Sequence, residues 1–239
     1  MTKAMIFAAG LGTRFKPWTD HHPKALAVVN GKSLLQRNVE YLQHYGITNV
    51  VVNVHHFADQ IIDAVDTNNG WGSNISISDE RNEVLETGGG FLKAEPLLMG
   101  TDTIITLNAD FLTNLNIDDL LTYHQQKKAL ISFGVTHRKS SRNFLFDPQL
   151  RLCGWENNST GEQRIAVASA HLQAMAYSCV AVFEPPIFKL IPQRGKFSIV
   201  DTYLSLAAEH LIYGYDHTGD ALVDVGKPES VAIAEAMFP

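Results

Sequence analysis

Two cations follow a pair of glycines near the start of the chain. Gly10 and Gly12 come directly after an apolar run at residues 5–8, and Arg14 and Lys24 lie in the segment that follows. Glycine lets backbone amides approach an anion without interference from a Cβ atom. Both cations could reach a phosphate group held against those amides. This pattern is typical of a site for a nucleoside triphosphate, although the loop alone is equally compatible with a tight turn that carries solvated cations.

The details of this loop exclude the two best-known phosphate-binding motifs. A dinucleotide fingerprint needs G-x-G-x-x-G opening a helix, but Phe15 occupies the position of the third glycine and Pro17 prevents an early regular helix. A P-loop needs lysine directly after its second glycine, whereas Lys24 comes a dozen residues later. An NAD-binding protein is therefore a weak alternative.

The run at residues 10–24, G-L-G-T-R-F-K-P-W-T-D-H-H-P-K, resembles the signature of the sugar-1-phosphate nucleotidylyltransferases. That signature has the form G-x-G-T-R, then P-x-T, then P-K. Within the family, the short length, L-E-T-G-G-G at 85–90 and V-D-V-G at 223–226 are most similar to bacterial uridylyltransferases of N-acetylmuramate 1-phosphate. The resemblance implies that a nucleotide, expected to come from UTP, is transferred to a sugar 1-phosphate with release of pyrophosphate. Mannose-1-phosphate guanylyltransferase and a non-catalytic nucleotide-sugar sensor are the alternatives.

The implied reaction needs charge neutralisation more than it needs a base. A phosphate monoester is largely dianionic at neutral pH, since its second pKa is about 6. By resemblance, Asp110 and Asp224 bind Mg²⁺, and Arg14, Lys24 and Asp110 are catalytic. Asp110 also follows a strand-like run, at the edge where α/β sheets place ligands. Taken singly, Asp110 could cap a helix and Asp224 could lie in a turn.

The resemblance also implies contacts to the nucleotide and to the sugar. Glu83 and Gly88 fall where relatives contact the base, although E-T-G-G-G is equally typical of a helix start. Asn143 and Ser178 fall at the expected sugar site, where Asn143 replaces an acid and Cys179 replaces a glycine. The implied nucleotide-binding residues are Ala8, Gly10, Leu11, Gly12, Thr13, Glu83, Gly88 and Asn108.

The elements that position these residues are predicted by hydrophobic periodicity. Short apolar runs at 5–8, 50–54 and 103–107 alternate with amphipathic segments, which predicts a doubly wound, mostly parallel or mixed sheet in an α/β, Rossmann-like fold. Ser33 is a candidate cap for a helix that ends at Gly46. Strands are also expected at 75–78, 144–146, 150–155, 174–183 and 221–225, and late helices at 199–209 and 228–237.

No linker or internal repeat divides the chain, so residues 1–239 are predicted to form one domain without a C-terminal β-helix. We expect residues 1–136 to form a nucleotide-binding half and residues 137–220 a sugar-phosphate-binding half. Residues 221–239 would supply the metal-ligand strand and a closing helix.

Composition narrows the partners and the compartment. The 19 Lys and Arg residues against 25 Asp and Glu residues give a net charge of −6, and no basic stripe could follow a nucleic acid. No signal peptide or membrane span is evident, so a cytoplasmic enzyme is expected, either a monomer or a small homo-oligomer. Cys153 and Cys179 lie in apolar runs without metal-type spacing and are interpreted as small core residues.

Overall fold

The computed structural model describes residues 1–239 and contains a ten-stranded sheet flanked by helices. The strands are β1 (Thr2–Phe7), β2 (Val28–Val29), β3 (Lys32–Ser33), β4 (Asn49–Val54), β5 (Asn74–Asp79), β6 (Thr103–Asn108), β7 (Phe111–Thr113), β8 (Ile131–Thr136), β9 (Arg142–Phe146), β10 (Leu152–Asn157), β11 (Glu162–Ile165), β12 (Gln173–Phe183), β13 (Ile212–Asp216) and β14 (Leu222–Asp224). The helices are α1 (Leu34–His44), α2 (Ala58–Thr67), α3 (Glu86–Lys93), α4 (Glu95–Leu98), α5 (Ile117–Lys127), α6 (Ile187–Leu190), α7 (Ile199–Leu206) and α8 (Glu229–Met237).

The sheet is parallel at one end and mixed at the other. In the first part, β5, β4, β1 and β6 are neighbours in that order and all run parallel. Beyond β6 comes β12, which is antiparallel to β6, β8 and β9. The predicted doubly wound, mixed α/β sheet is confirmed. In a parallel sheet the carboxyl ends share one edge, so β1 and β6 deliver residues 8–10 and 108–110 to the same place.

Local signals define the first helix as the sequence predicts. The Ser33 hydroxyl accepts a hydrogen bond from the amide of Gln36 at 3.1 Å and so caps α1. Gly46, just beyond the helix, has a φ of 70°, in the left-handed region where glycine carries no steric penalty. The predicted strands and helices before residue 110 lie within two residues of their expected bounds, except that β1 begins three residues earlier than expected, at Thr2. The run E-T-G-G-G begins a helix, α3, at Glu86.

The second part of the chain is less well predicted, because its strands pair over long sequence distances. The strand β12 spans eleven residues and pairs with β9, β8 and β6 in turn. Its pairing with β8 slips between Tyr177 and Ala181, which marks a bulge at the centre of the strand. Six elements after residue 110 were not predicted from the sequence: β7, α5, β8, β11, α6 and β13. The helix expected at 199–209 ends at Leu206.

Three apolar cores hold the layers together, and the third one bears directly on the site. Its eight buried residues include Phe15 from the glycine-rich loop, Leu112 from β7, Val223 from β14, and Val225. The burial of Phe15, which is 5% exposed, therefore fixes the loop that carries Arg14 against the strand that carries Asp224.

The helices of the structure are short or polar. None combines the length and the apolar character that crossing a lipid bilayer requires.

Candidate active site

Gly12 brings the lysine of the loop into the site. Its φ of 61° lies in the left-handed region, and a Cβ atom there would lie 3.1 Å from Lys24 Cβ and 2.9 Å from Thr19 Cγ2. The carbonyl of Gly12 accepts hydrogen bonds from the Phe15 amide at 2.8 Å and from the Thr19 hydroxyl at 2.9 Å. The irregular loop is therefore folded back on itself, and only glycine fits at its centre.

Lys24 and Asp110 form a close ion pair, although 86 residues separate them. Lys24 Nζ lies 2.6 Å from Asp110 Oδ2, with the lysine side chain 9% exposed and the aspartate side chain 27% exposed. A buried ammonium requires such a partner, because desolvation of an unpaired charge is costly. The pair places one fixed cation at the carboxyl end of β6.

The second aspartate lies on the neighbouring strand. The strands β14 and β7 are antiparallel, with Asp224 opposite Phe111, and the Val225 amide donates to the Asp110 carbonyl at 2.8 Å. Arg14 Nη1 lies 4.0 Å from Asp224 Oδ2. The two carboxylates and the two cations predicted from the sequence are thus gathered at one edge of the sheet.

Gly226 makes room for this arrangement. A Cβ atom at this position would lie 2.6 Å from Asp224 Oδ1 and 2.9 Å from Arg14 Nη2. Both distances are shorter than real Cβ contacts, so a larger residue would displace the carboxylate, the guanidinium or both. Its backbone is not in the left-handed region, so the requirement for glycine is a matter of space alone.

The donor set fits a hard divalent cation. Asp224 Oδ1 is buried and has no hydrogen-bond partner, which is costly unless another ligand satisfies it. No group of three or more His, Cys, Asp or Glu side chains is present, so the protein supplies carboxylates for only part of a coordination sphere. Mg²⁺ is commonly held in this way, by one or two carboxylates together with substrate phosphates. Asp110 and Asp224 are the residues that would hold it.

Two adjoining cavities open at this edge. The smaller, of about 220 Å³, is lined by the glycine loop, Lys24 and Asp110. The larger, of about 560 Å³, extends between β12, α7 and the segment after β8, and Asp224 and Cys179 line it. The two share three lining residues, which are Arg14, Thr87 and Asn108. This geometry suits two anionic substrates that meet near Arg14.

The residues expected to bind nucleotide divide into three groups by their positions. Those that line the smaller cavity are Ala8, Gly10, Gly12, Thr13 and Asn108. Leu11 and Glu83 are exposed and line neither cavity. Gly88 also lines neither cavity, since it is buried in α3 where a Cβ atom would lie 2.3 Å from the Phe197 ring. Gly88 thus packs against Phe197 and not against the space that a nucleotide would fill.

A buried chain of hydrogen bonds supports the start of the loop, and the sequence analysis did not identify it. The Ala8 amide donates to Asn53 Oδ1, and Asn53 Nδ2 donates to Glu80 Oε1, each at 2.8 Å. Burial raises the pKa of the Glu80 carboxyl. The signal in the sequence was Asn53 itself, the amide that interrupts the valine run at residues 50–54 of β4.

Of the two residues expected to contact the sugar, Asn143 on β9 lines the larger cavity and Ser178 on β12 does not. Asn143 lines the larger cavity, and its amide donates to Glu156 Oε1 at 3.2 Å. The Ser178 side chain is fully buried and bonds His217 Nε2 at 2.6 Å, so its hydroxyl does not face the cavity. Cys179 lines the cavity instead and is only partly buried, which corrects its interpretation as a core residue. Its φ of 59° lies in the left-handed region, which glycine adopts without the steric penalty that a side chain brings.

Comparison with known proteins identifies the class that this fold and site define. The family model described as "Nucleotidyl transferase" matches residues 3–144, and the chain belongs to that family. The predicted family and enzyme class are thereby confirmed.

Two relatives carry the same name. The N-acetylmuramate alpha-1-phosphate uridylyltransferase of Neisseria meningitidis is 41% identical over 98% of this chain and 97% of its own length. The protein so named in Caulobacter vibrioides is 30% identical over 98% of this chain and 95% of its own length. Among solved structures, HddC from Yersinia pseudotuberculosis superposes with a TM-score of 0.80 over 100% of both chains at 23% identity. At 23% identity, this structural likeness is evidence for the fold alone.

Proposed function

We propose that this enzyme transfers the uridylyl group of UTP to N-acetylmuramate 1-phosphate or a closely similar hexose 1-phosphate. The observation that carries the proposal is the meeting of Lys24, Arg14 and two aspartates between two cavities, one beside the glycine loop and one large enough for a hexose. The two near full-length relatives with that activity in their names support the choice of base and sugar. The product would serve cell-wall synthesis or peptidoglycan recycling.

In the proposed reaction an oxygen of the sugar 1-phosphate attacks the α-phosphorus of UTP. The new P–O bond forms as the bond to the β-phosphate breaks, and pyrophosphate leaves with that electron pair. The nucleophile is already ionised, so no side chain has to remove a proton. The protein contributes by positioning the two anions and by neutralising their charge.

Each charged residue has a separate task in this scheme. Lys24, which Asp110 holds in place, would contact the phosphate that is transferred, and Arg14 would contact the departing pyrophosphate. When bound at Asp110 and Asp224, Mg²⁺ would offset the charge of phosphate oxygens from both substrates. Glycines at 10 and 12 let the triphosphate approach the backbone of the loop.

The test is a matrix of pyrophosphate release from four nucleoside triphosphates against the 1-phosphates of N-acetylmuramate, N-acetylglucosamine, glucose and mannose, with magnesium present. An incorrect base would leave buried hydrogen-bond donors or acceptors of the base site unpaired, and each would weaken binding by about 1–3 kcal/mol. UTP should therefore exceed the other triphosphates by at least about tenfold, with N-acetylmuramate 1-phosphate as the best acceptor.

Two other outcomes would contradict the proposal in different ways. A preference for GTP with mannose 1-phosphate would replace the substrates and keep the chemistry. No release from any pair, together with tight binding of a nucleotide-sugar, would indicate a sensing role.

A further inference from the structure

The outer wall of the larger cavity is basic. Arg138, from the segment between β8 and β9, and Arg142, at the start of β9, line it, and His137 and Lys139 lie beside Arg138 in the same segment. A further cavity of about 530 Å³ lies against the same segment, and no acidic residue lines it. In the larger cavity Asp224 is the one acidic lining residue. This concentration of positive charge exceeds what a neutral sugar would need.

Arg138 is the part of this wall that is held in a fixed position. Its Nη2 donates to the Tyr177 carbonyl at 2.9 Å, and its guanidinium lies 5.9 Å from the centre of the Phe111 ring. Arg138 lines the same cavity as Phe111 and the predicted metal ligand Asp224. Arg138 lines both of the cavities that flank the segment.

Arg138 has no counter-ion within the protein. It forms no ion pair with any carboxylate, and its Nε is buried without a hydrogen-bond partner. By contrast, Arg81 and Arg164 each pair with aspartates on the surface. A partly buried guanidinium with unused donors is a site for an anionic group, since it binds carboxylates through two parallel hydrogen bonds.

Position indicates which anion this is. In the proposed reaction the 1-phosphate of the sugar meets the triphosphate where the two cavities adjoin, beside Arg14, so its charge lies at that end of the larger cavity. Arg138 stands in the cavity that extends away from the glycine loop, so it faces the body of the sugar. Asn143 supplies a neutral amide to the same cavity, so this neighbour on β9 adds no charge that would compete for Arg138.

We propose that Arg138 binds a carboxylate substituent on the sugar ring and so selects an acidic amino-sugar 1-phosphate over its neutral counterpart. This inference rests on the proposed function and assigns its specificity to one residue. N-acetylmuramate 1-phosphate and N-acetylglucosamine 1-phosphate form the matched pair of substrates, since they differ only in the carboxylate-bearing ether group.

The experiment measures kcat/KM for both sugars with UTP in the full-length wild type, in Arg138→Gln and in Arg138→Lys. A hydrogen bond to a charged group, once lost, is expected to lower the wild-type preference for the acidic sugar by at least about tenfold in Arg138→Gln. Turnover of the neutral sugar should stay within about threefold, and Arg138→Lys should recover part of the preference. Arg37→Gln is the control, because this partly buried arginine bonds the Val29 carbonyl, lines neither cavity of the site and should leave the ratio unchanged.

Other outcomes overturn the inference and spare the proposed function. Equal losses with both sugars in Arg138→Gln would assign Arg138 to the shared phosphate or to structure. If the wild type shows no preference for the acidic sugar, there is no selectivity for a carboxylate contact at Arg138 to explain, and the inference fails.

If the wild type uses neither sugar with UTP, the proposed function fails. The role of Arg138 is then tested separately, by measuring the binding of the two sugar phosphates without turnover. Equilibrium dialysis of the two sugar phosphates with magnesium then has to show an affinity for the acidic one that Arg138→Gln lowers by about tenfold. Equal binding to the wild type and the variant would refute the carboxylate site.

Discussion

The substitution Gly226→Ala tests whether the spacing of Asp224 and Arg14 governs the reaction. The added Cβ atom would lie 2.6 Å from Asp224 Oδ1, and real Cβ contacts essentially never fall below 3.0 Å. The carboxylate oxygen therefore has to retreat by at least about 0.4 Å, while Arg14 Nη2, at 2.9 Å, moves less. Gly226 is outside the left-handed region, so alanine adds no backbone strain.

The expected effect is a loss of rate with little loss of stability. A misplacement of about 1 Å in a positioned group can cost about 100-fold in rate, so a shift of this size should lower kcat by about tenfold or more. The assay is pyrophosphate release with saturating substrates over a range of magnesium concentrations. If Asp224 binds the cation, the variant should also need more magnesium for half-maximal rate.

The control is the same substitution in an Asp224→Asn background. There the added methyl group should cost less than in the wild type, because part of its effect acts through the missing carboxylate. A Gly226→Ala enzyme with kcat and magnesium dependence within about threefold of the wild type would refute the reasoning, provided that its thermal midpoint is also unchanged.

Two further predictions concern charge within the site and the buried histidine behind it. Lys24→Met retains the buried stem and should lower kcat about 100-fold or more, with a smaller effect on KM for UTP, because the lysine acts on charge that develops during transfer. Lys16→Met, which removes an exposed lysine of the same loop paired with Asp20 at 2.8 Å, is the matched control, and a loss confined to KM would contradict the catalytic role of Lys24. Burial lowers the pKa of His217, so the folded state favours its neutral form. The contribution of His217 to the free energy of unfolding is therefore present above the unfolded pKa near 6.5 and is lost as the pH falls below that value. The urea midpoint between pH 7.5 and 5.5 should therefore fall less steeply in His217→Gln than in the wild type, and parallel curves would exclude His217 as a contributor.

The sequence by itself determined the first part of the sheet and the residue types of the site. Hydrophobic periods of two and 3.6 residues depend on near neighbours alone, which is why β4, β6 and the capped helix α1 were predicted within two residues and β1 within three. Glycines, cations and aspartates at characteristic spacings likewise indicated a phosphate site before any contact was known.

Only the tertiary structure decided which of these residues meet and which way they face. The Lys24–Asp110 pair spans 86 residues, and Arg14 meets Asp224 because Phe15 and Val225 share a core. The direction of side chains on β12 was not predictable, because a bulge shifts the register between Tyr177 and Ala181. That shift buries Ser178 against His217 and turns Cys179 toward the cavity. The bulge adds two residues to β12 relative to β8, and the left-handed backbone of Cys179 interrupts the alternation of faces there. Local sequence carries no record of the partner strand with which this bulge forms.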